Sequence, residues 1–322
     1  MRAGAFCKFM LASAAMVLVA ACGGGDGGGM SFIPAPPATP TPAPAPAPAV
    51  AGNVVIFQQP PVGQFASTGV WTNLYSATLS ENGRFTGIES HATAQPSIRY
   101  TADGLYEVKL PGEDYLKLAH SSAIANPAPD DPFLILQPDL SRKFTLDHSQ
   151  SGFRYSAMGT WSRPDLDFGF TTDSGTLAFG VPTASGSVPL AGTATYEGVV
   201  AGLTDAKFLD APTNSWSLRP AGGSVTLNFG FANGSLGGEM SLFVNGDFDP
   251  VNVGRFAFTQ TVFSRGSTGY SGSFATNLQG FNFFSGSFTG PNADETIGSW
   301  AVPFQMNGES HQAIGAWMAR HQ

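Results

Sequence analysis

Hydrophobic and polar residues alternate most cleanly in the C-terminal half of the chain. Val225, Leu227, Phe229 and Phe231 interleave with Ser224, Thr226, Asn228 and Gly230. A period of two predicts a strand with one buried face, because successive side chains point to opposite sides of a sheet. Asn233-Gly234 predicts a tight turn, and Met240, Leu242 and Val244 carry the pattern back along the next strand. Phe256, Phe258 and Val262 predict a further strand, and Tyr270 to Ala275 another. The run from Phe281 to Phe288 and the run from Thr296 to Phe304 predict a hairpin. Between them stand Gly290, Pro291, Asn292, Ala293, Asp294 and Glu295, a cluster of turn formers. Leu190 to Val200 opens this series, and Ala313 to Ala319, with Trp317, closes it. About eight strands at such short spacing over residues 188–319 predict a closed up-and-down antiparallel barrel. Gly198, Gly272, Gly286 and Gly298 fall inside the predicted strands, where they permit tight coiling and leave room for opposing aromatics.

The N-terminal half is patterned in shorter pieces. Val54 to Phe57 is a brief apolar run, and Thr68 to Leu79 with Arg84 to Glu89 reads as a hairpin around Asn82-Gly83. Ile98 to Val108 reads as a second hairpin turning at Asp103-Gly104. Tyr115–Leu118, Phe133–Leu136, Phe144–Leu146 and a stretch from Phe153 to Trp161 predict further short strands, with an exposed loop at residues 121–132. No helical periodicity stands out. The expected fold class is all-β: an N-terminal β-rich handle over residues 51–185, then an eight-stranded antiparallel β-barrel over residues 186–322.

The first 50 residues follow different rules. Arg2 and Lys8 precede a short apolar core from Phe9 to Ala21, which predicts a secretory signal over residues 1–21. That core ends Leu18-Val19-Ala20-Ala21-Cys22-Gly23. Small residues immediately before a cysteine resemble the bacterial lipobox, at which the leader is cut and Cys22 becomes the lipidated first residue. The chain has two cysteines, and the other, Cys7, lies inside the leader, so the mature body would hold no disulfide. A lipid with more than one chain makes a lasting membrane anchor. Residues 22–50 then read as a tether, with a Gly-rich coil at 23–29 and a Pro/Ala-rich stretch at 34–49. At about 3.1 Å per residue, the proline part reaches on the order of 50 Å as polyproline II. Gly23 after the cysteine, by resemblance to bacterial sorting patterns, points to the outer membrane.

Composition narrows the function classes. Gly 40 and Phe 26 are both high, which suits closely approaching strands around an aromatic core. The formal net charge is −8, and losing Arg2 and Lys8 with the leader makes the body more acidic, so there is no electrostatic footprint for nucleic acid. A membrane-spanning barrel would alternate in a similar way, but a lipid anchor would then be redundant and the chain ends without a terminal aromatic. Nucleophile-elbow, zinc-protease and phosphate-loop motifs are missing, and no catalytic constellation is visible, so the expectation is not an enzyme. His91, His120, His148, His311 and His321 lie far apart, without metal-ligand spacing. His120 and Tyr115 fall near a loop and are candidate haem ligands, although solvent-facing polar residues explain them as well. Asp247 and Asp249 read as a turn rather than a calcium loop, and Asp130-Asp131 and Asp294-Glu295 as adjacent acids in loops.

Three stretches carry a family resemblance: Gly192 to Gly198, the Val225–Phe231 strand with its Asn-Gly turn, and Gly286 to Gly298. Together they resemble the C-terminal barrel of transferrin-binding protein B and its relatives, most specifically in the pattern F-x-G-P-x-A-x-E-x-x-G from Phe288 to Gly298. The resemblance covers roughly Gly159 to Ala319 and leaves room for one lobe, as in the single-lobed relatives. It implies a surface lipoprotein that binds a protein on exposed loops. It further implies capture of a protein-borne, iron- or haem-related nutrient, a handover to a TonB-type outer-membrane transporter, and export by a surface-lipoprotein translocator. No ligand residue can be carried over, because the family's loops vary widely. Pro291 and Glu295 belong to the motif and are expected to shape the hairpin. The alternative expectation is a structural or protective surface lipoprotein that recruits a host or envelope protein without nutrient capture.

Overall fold

A computed structural model of the chain describes residues 61–75, 87–91, 96–110, 114–118, 133–136, 143–147, 152–165, 170–210, 215–246 and 249–322. The leader, Cys22, the tether, the Val54–Phe57 run, the Asn82-Gly83 turn, His120, His148, Asp247 and the 121–132 loop lie outside those residues. All described residues belong to one contact unit, Ala45–Gln322.

The elements are strands throughout. In the first half they are β1 (Gly63–Gln64), β2 (Ala66–Tyr75), β3 (Gly87–His91), β4 (Ser97–Tyr100), β5 (Tyr106–Lys109), β6 (Tyr115–Leu118), β7 (Phe133–Leu136), β8 (Lys143–Asp147), β9 (Ser156–Asp165) and β10 (Phe170–Gly180). Two antiparallel sheets result: four strands in the order β1-β4-β5-β6 and six in the order β3-β2-β10-β9-β8-β7. The hairpins predicted at 68–89 and 98–108 are present as β2 with β3 and β4 with β5. Strand β10 is not predicted by the sequence pattern, yet it sits near the middle of the larger sheet. It pairs with β2 on one side and β9 on the other.

The second half contains β11 (Thr193–Asp210), β12 (Ser215–Gly230), β13 (Ser235–Asn245), β14 (Pro250–Val262), β15 (Gly269–Phe274), β16 (Phe283–Thr289), β17 (Glu295–Met306) and β18 (Glu309–His321). Consecutive strands pair in order, and β18 pairs back to β11 to close the barrel. The all-β, eight-stranded architecture is therefore present. Two details differ from the sequence reading. The first barrel strand begins at Thr193 rather than Leu190, which is 50% exposed, and runs on to Asp210. Along β14 the alternation of Phe256 and Phe258 does not carry to Val262, which is 65% exposed, and Phe263 is buried instead. The cause is an irregularity between Thr259 and Val262, where Gln260 takes φ 46°. An extra residue in one strand moves every later side chain to the other face.

The barrel interior is a packed core. Tyr196, Phe229, Phe256, Phe274, Phe284, Phe288, Trp300 and Trp317 all bury their rings there. Phe229 alone meets Tyr196, Phe263, Tyr270 and Phe288 with ring centroids at 4.8–5.4 Å. Such pairs add about 0.5–1.5 kcal/mol beyond the area they bury. Glycines make the rings fit. Across neighbouring strands Tyr270 faces Gly286, Phe284 faces Gly272, Trp317 faces Gly298 and Trp300 faces Gly315. A Cβ at any of these four glycines would come within 2.3–2.5 Å of the facing ring. Away from the six-stranded sheet many exterior strand positions are polar, as at Thr195, Glu197, Asn228, Glu239 and Arg255. A filled apolar interior is unlike the polar interior of a membrane-spanning barrel.

The six-stranded sheet lies between two partners. One face, with Phe144, Trp161, Leu177 and Phe179, packs on Phe65, Ile98 and Val108 of the smaller sheet side. The other face, with Ala66, Met158 and Ala178, packs on the barrel exterior at Ile297, Ala316 and Met318. Small side chains on that second face bring the layers close. Every residue of β17 from Glu295 to Phe304 is accordingly buried, although only alternate ones point into the barrel.

Candidate functional site

The hairpin that joins β16 to β17 is held against the segments that flank β9 and β10. Gly290 takes φ 86°, and a Cβ there would meet the Tyr155 ring at 2.7 Å, so glycine alone fits. Its amide donates to the Val181 carbonyl at 2.8 Å, and the Thr183 hydroxyl donates to the Gly290 carbonyl at 2.8 Å. Ala293, at φ 58°, presents its carbonyl to the buried Tyr196 hydroxyl at 2.6 Å. Burial and the neighbouring Tyr270 and Asp294 push that hydroxyl's pKa up, so it stays a donor. The Glu295 carboxylate accepts the amides of Arg154 at 2.6 Å and Tyr155 at 3.1 Å. Burial nonetheless raises its pKa above the ordinary 4.5, outweighing the hydrogen bonds that favour the charged form. Glu295, read from the sequence as shaping the hairpin, thus clamps the segment that leads into β9. Asp294 completes the turn by accepting the Asn292 amide at 3.3 Å. A second link, Thr68 Oγ1 donating to Ser299 Oγ at 2.7 Å, ties β2 to the exterior of β17.

At the other end of the barrel the rim faces solvent, with Ala275, Asn277, Gln279 and Phe281 exposed, and the connection between β15 and β16, residues 275–282, is flanked by two clefts. One, of about 520 Å³, is lined by Thr259, Gln260, Ser273, Thr276, Asn277 and Asn282. The other, of about 460 Å³, is lined by Asp205, Gln279, Phe281, Ser310, His311 and Gln312. Both volumes fall in the range of small-ligand sites.

The connection is pinned at two points. Asn282 mimics a strand by donating to the Phe274 carbonyl and accepting the Phe274 amide, both at 2.8 Å. Gln312 on β18 accepts the Phe281 amide at 2.9 Å and donates to the Phe281 carbonyl at 3.0 Å. Gly280, at φ 147°, lets the chain lie against Gln312 and Pro303, where a Cβ would come within 2.6 Å of the Gln312 Oε1. The Phe281 ring is left 53% exposed. Beside it, Asp205 Oδ1 accepts both the Gln312 amide at 3.0 Å and His311 Nδ1 at 3.1 Å. That contact assigns the His311 proton to Nδ1. Just inside the same rim Arg219 is buried and donates to the Asn245 carbonyl at 2.8 Å.

Sequence reasoning does not find Asp205, Arg219, Phe281 or Gln312 as rim residues, and 106 positions separate Asp205 from His311. The residues it does single out are distributed elsewhere. Tyr115 donates its hydroxyl to Gln64 at 3.1 Å and lies under the Arg99 guanidinium at 3.9 Å, engaged with polar neighbours. Its suggested companion for haem, His120, lies outside the described residues. His321 packs on the Tyr196 ring at 5.5 Å, at the opposite end of β18 from His311. Asp249 accepts the Gly246 amide through its backbone at 3.1 Å, as a turn residue does. Among the described residues no group of three or more His, Cys, Asp or Glu is placed to hold a metal ion.

Neither a protein-family model nor a curated protein matches the sequence. Solved structures do resemble it. A double mutant of transferrin-binding protein B from Haemophilus parasuis aligns at 18% identity and TM-score 0.43, over 80% of this chain and 45% of that one. The isotype 1 transferrin-binding protein B of serogroup B Neisseria meningitidis aligns at 15% identity and TM-score 0.42, over 80% and 43%. These are likenesses of fold. This chain spans less than half the length of either protein. A structure named only as a surface lipoprotein aligns at 12% identity and TM-score 0.32, over 79% of this chain and 98% of that one. The architecture described above stands on its own strand pairing.

Proposed function

We propose that this chain is a non-enzymatic surface lipoprotein that binds a macromolecular ligand at the open rim of its barrel. The observation that carries the reading is the filled barrel. With its interior occupied by aromatic rings, a ligand is met by the outside, and the clefts beside residues 275–282 offer concave surface among the described residues. Connections at a rim can change without disturbing barrel closure, which suits recognition. The lipobox-like stretch ending at Cys22, the leader at 1–21 and the tether at 22–50 support anchoring in the outer membrane with the body held away from it. In this reading residues 51–185 serve as a handle and residues 186–322 as the barrel domain, joined through Glu295 and Ser299.

The finer reading is capture of a protein or protein-borne nutrient, iron- or haem-related, passed on to an outer-membrane transporter. It is supported by the sequence resemblance to transferrin-binding protein B around Phe288–Gly298. The test is a pull-down from spent medium and solubilised outer membrane with the full chain carrying Cys22→Ser as bait, followed by mass spectrometry. Recovery of an iron- or haem-carrying protein or of a transporter supports the capture role. Repeated recovery of nothing above control with folded bait removes it. Mixing the same protein with haemin and looking for a Soret band tests haem directly.

A further inference from the structure

We propose that the cleft formed by Asp205, Gln279, Phe281 and His311 is a subsite for a neutral carbohydrate. This rests on the reading of the open rim as the binding surface and names the chemistry it takes. A pyranose ring offers two things: a face of C–H groups that packs on an aromatic ring, and a fringe of hydroxyls that are both donors and acceptors. The cleft supplies the counterpart of each.

Phe281 is the platform. More than half of it is exposed, at 53%, and the exposure is built in rather than incidental. Its amide and carbonyl are both held by Gln312, and Gly280 presses the chain against β17 and β18 before it. Those bonds hold the backbone that carries the ring, so the loop itself has little conformational freedom to lose when a ligand stacks there.

The polar groups are of the right kind. Asp205 spends one carboxylate oxygen, Oδ1, on His311 and the Gln312 amide. Its side chain keeps 32% of its surface in the cleft, where a second oxygen accepts hydroxyl donors. The exposed Gln279 amide and Ser310 hydroxyl both donate and accept. Across the 275–282 connection, the second cleft is lined by Thr259, Gln260, Ser273, Asn277 and Asn282, again hydroxyls and amides. Residues 275–282, the connection between the two clefts, contain no Asp, Glu, Lys, Arg or His. Asp205 and the exposed Glu309 bring only negative charge to the cleft edge, which disfavours acidic sugars. The sugar is thus neutral, whether it belongs to a glycoprotein or to a free polysaccharide.

The experiment uses the full chain carrying Cys22→Ser and four probes: methyl mannoside, lactose, chitobiose and sialyllactose. Saturation-transfer NMR detects binding, and titration calorimetry ranks it. At least one neutral probe is expected to bind with a dissociation constant of about 1 mM or below. Phe281→Ala should weaken that binding about tenfold while leaving the thermal midpoint unchanged, since the ring is largely outside the core. Asp205→Asn, which keeps an acceptor toward His311, should weaken it less than Phe281→Ala does. Absence of signal from every neutral probe, a preference for sialyllactose, or binding indifferent to Phe281→Ala overturns the proposal. Protein captured in the pull-down is treated with glycosidases in parallel. Capture that survives deglycosylation and Phe281→Ala defeats the carbohydrate subsite and leaves the macromolecular reading standing. Loss on deglycosylation supports the subsite and assigns the sugar to a glycoprotein, whereas probe binding without any captured glycoprotein supports it with a free polysaccharide as source.

Discussion

Gly298→Ala should be among the most damaging single-methyl changes in the barrel. A Cβ at this position would stand 2.3 Å from Trp317 Cε2, 2.4 Å from Cζ2 and 2.6 Å from Nε1. Carbon atoms pack without penalty at about 3.5–4.0 Å, so the indole would have to retreat by more than about 1 Å. It has nowhere to go. Trp317 is fully buried, with Phe258 and Phe284 behind it at centroid distances of 5.9 and 6.0 Å. Overpacking a closed core costs about 1–3 kcal/mol, and a rigid bicyclic ring places this case at the upper end. For a domain of this size each kcal/mol lowers the thermal midpoint by about 2–4 °C. The comparator is Gly237→Ala, also inside a barrel strand, where nothing lies within 4 Å of the added carbon. That change should be neutral or slightly stabilising, by about 0.4–1 kcal/mol, because it only restricts the unfolded chain. Guanidinium melts followed by far-UV circular dichroism and tryptophan fluorescence measure both. If Gly298→Ala falls within about 0.5 kcal/mol of Gly237→Ala, the view that glycines seat the facing rings is wrong. Trp317→Phe in the Gly298→Ala background should recover part of the loss, a coupling that distant sites do not show.

Further outcomes follow from the hairpin, the rim and the leader. Glu295→Gln turns an amide donor toward the Arg154 or Tyr155 amide and should destabilise by about 1–3 kcal/mol in chemical melts. The folded-state pKa of Glu295 is raised, so its protonated form contributes stability at pH below the ordinary 4.5 that is lost as pH rises through the folded value. The stability difference between wild type and Glu295→Gln should therefore shrink from acid toward neutral pH, and a difference that grows would contradict burial as the dominant cause. Ser299→Ala strands the buried Thr68 hydroxyl and should cost about 1–3 kcal/mol, whereas pairing it with Thr68→Val should return most of that, as read by urea melts. Gln312→Ala frees both polar groups of Phe281 and should speed amide hydrogen exchange across residues 275–282 without altering β15 or β16. Cys22→Ser should move the protein out of the membrane fraction and abolish labelling by palmitate; retention of the label would refute the lipobox reading.

The sequence by itself determined the all-β class, the barrel strands in their order and the hairpin at Gly290. Several of those strands keep one face toward water, and a half-solvated strand writes its burial into the sequence with a period of two. Val225 to Phe231 and Met240 to Val244 are legible for that reason. Strand β17, buried on both faces, was legible instead from the turn formers before it. Only the tertiary structure decided the rest. Strand β10 was missed because both its faces are covered: Leu177 and Phe179 look to one sheet while Ala178 and Gly180 look toward the barrel, so no polar face marks the alternation. The outward face of Val262 was not legible because a distortion at Gln260 changes the face, and a residue count cannot register it. Glu295 was recognised as part of a motif, but its partners at Arg154 and Tyr155 lie 141 and 140 positions away and are brought to it by the packing of the six-stranded sheet on the barrel exterior. The rim followed the same rule. Asp205, Phe281, His311 and Gln312 sit on three separate segments with no shared spacing, and they become neighbours only because β11 closes on β18 and the 275–282 connection folds against it. Periodicity reports what a strand does with its own two faces; which distant residues meet is settled by how the sheets close and pack.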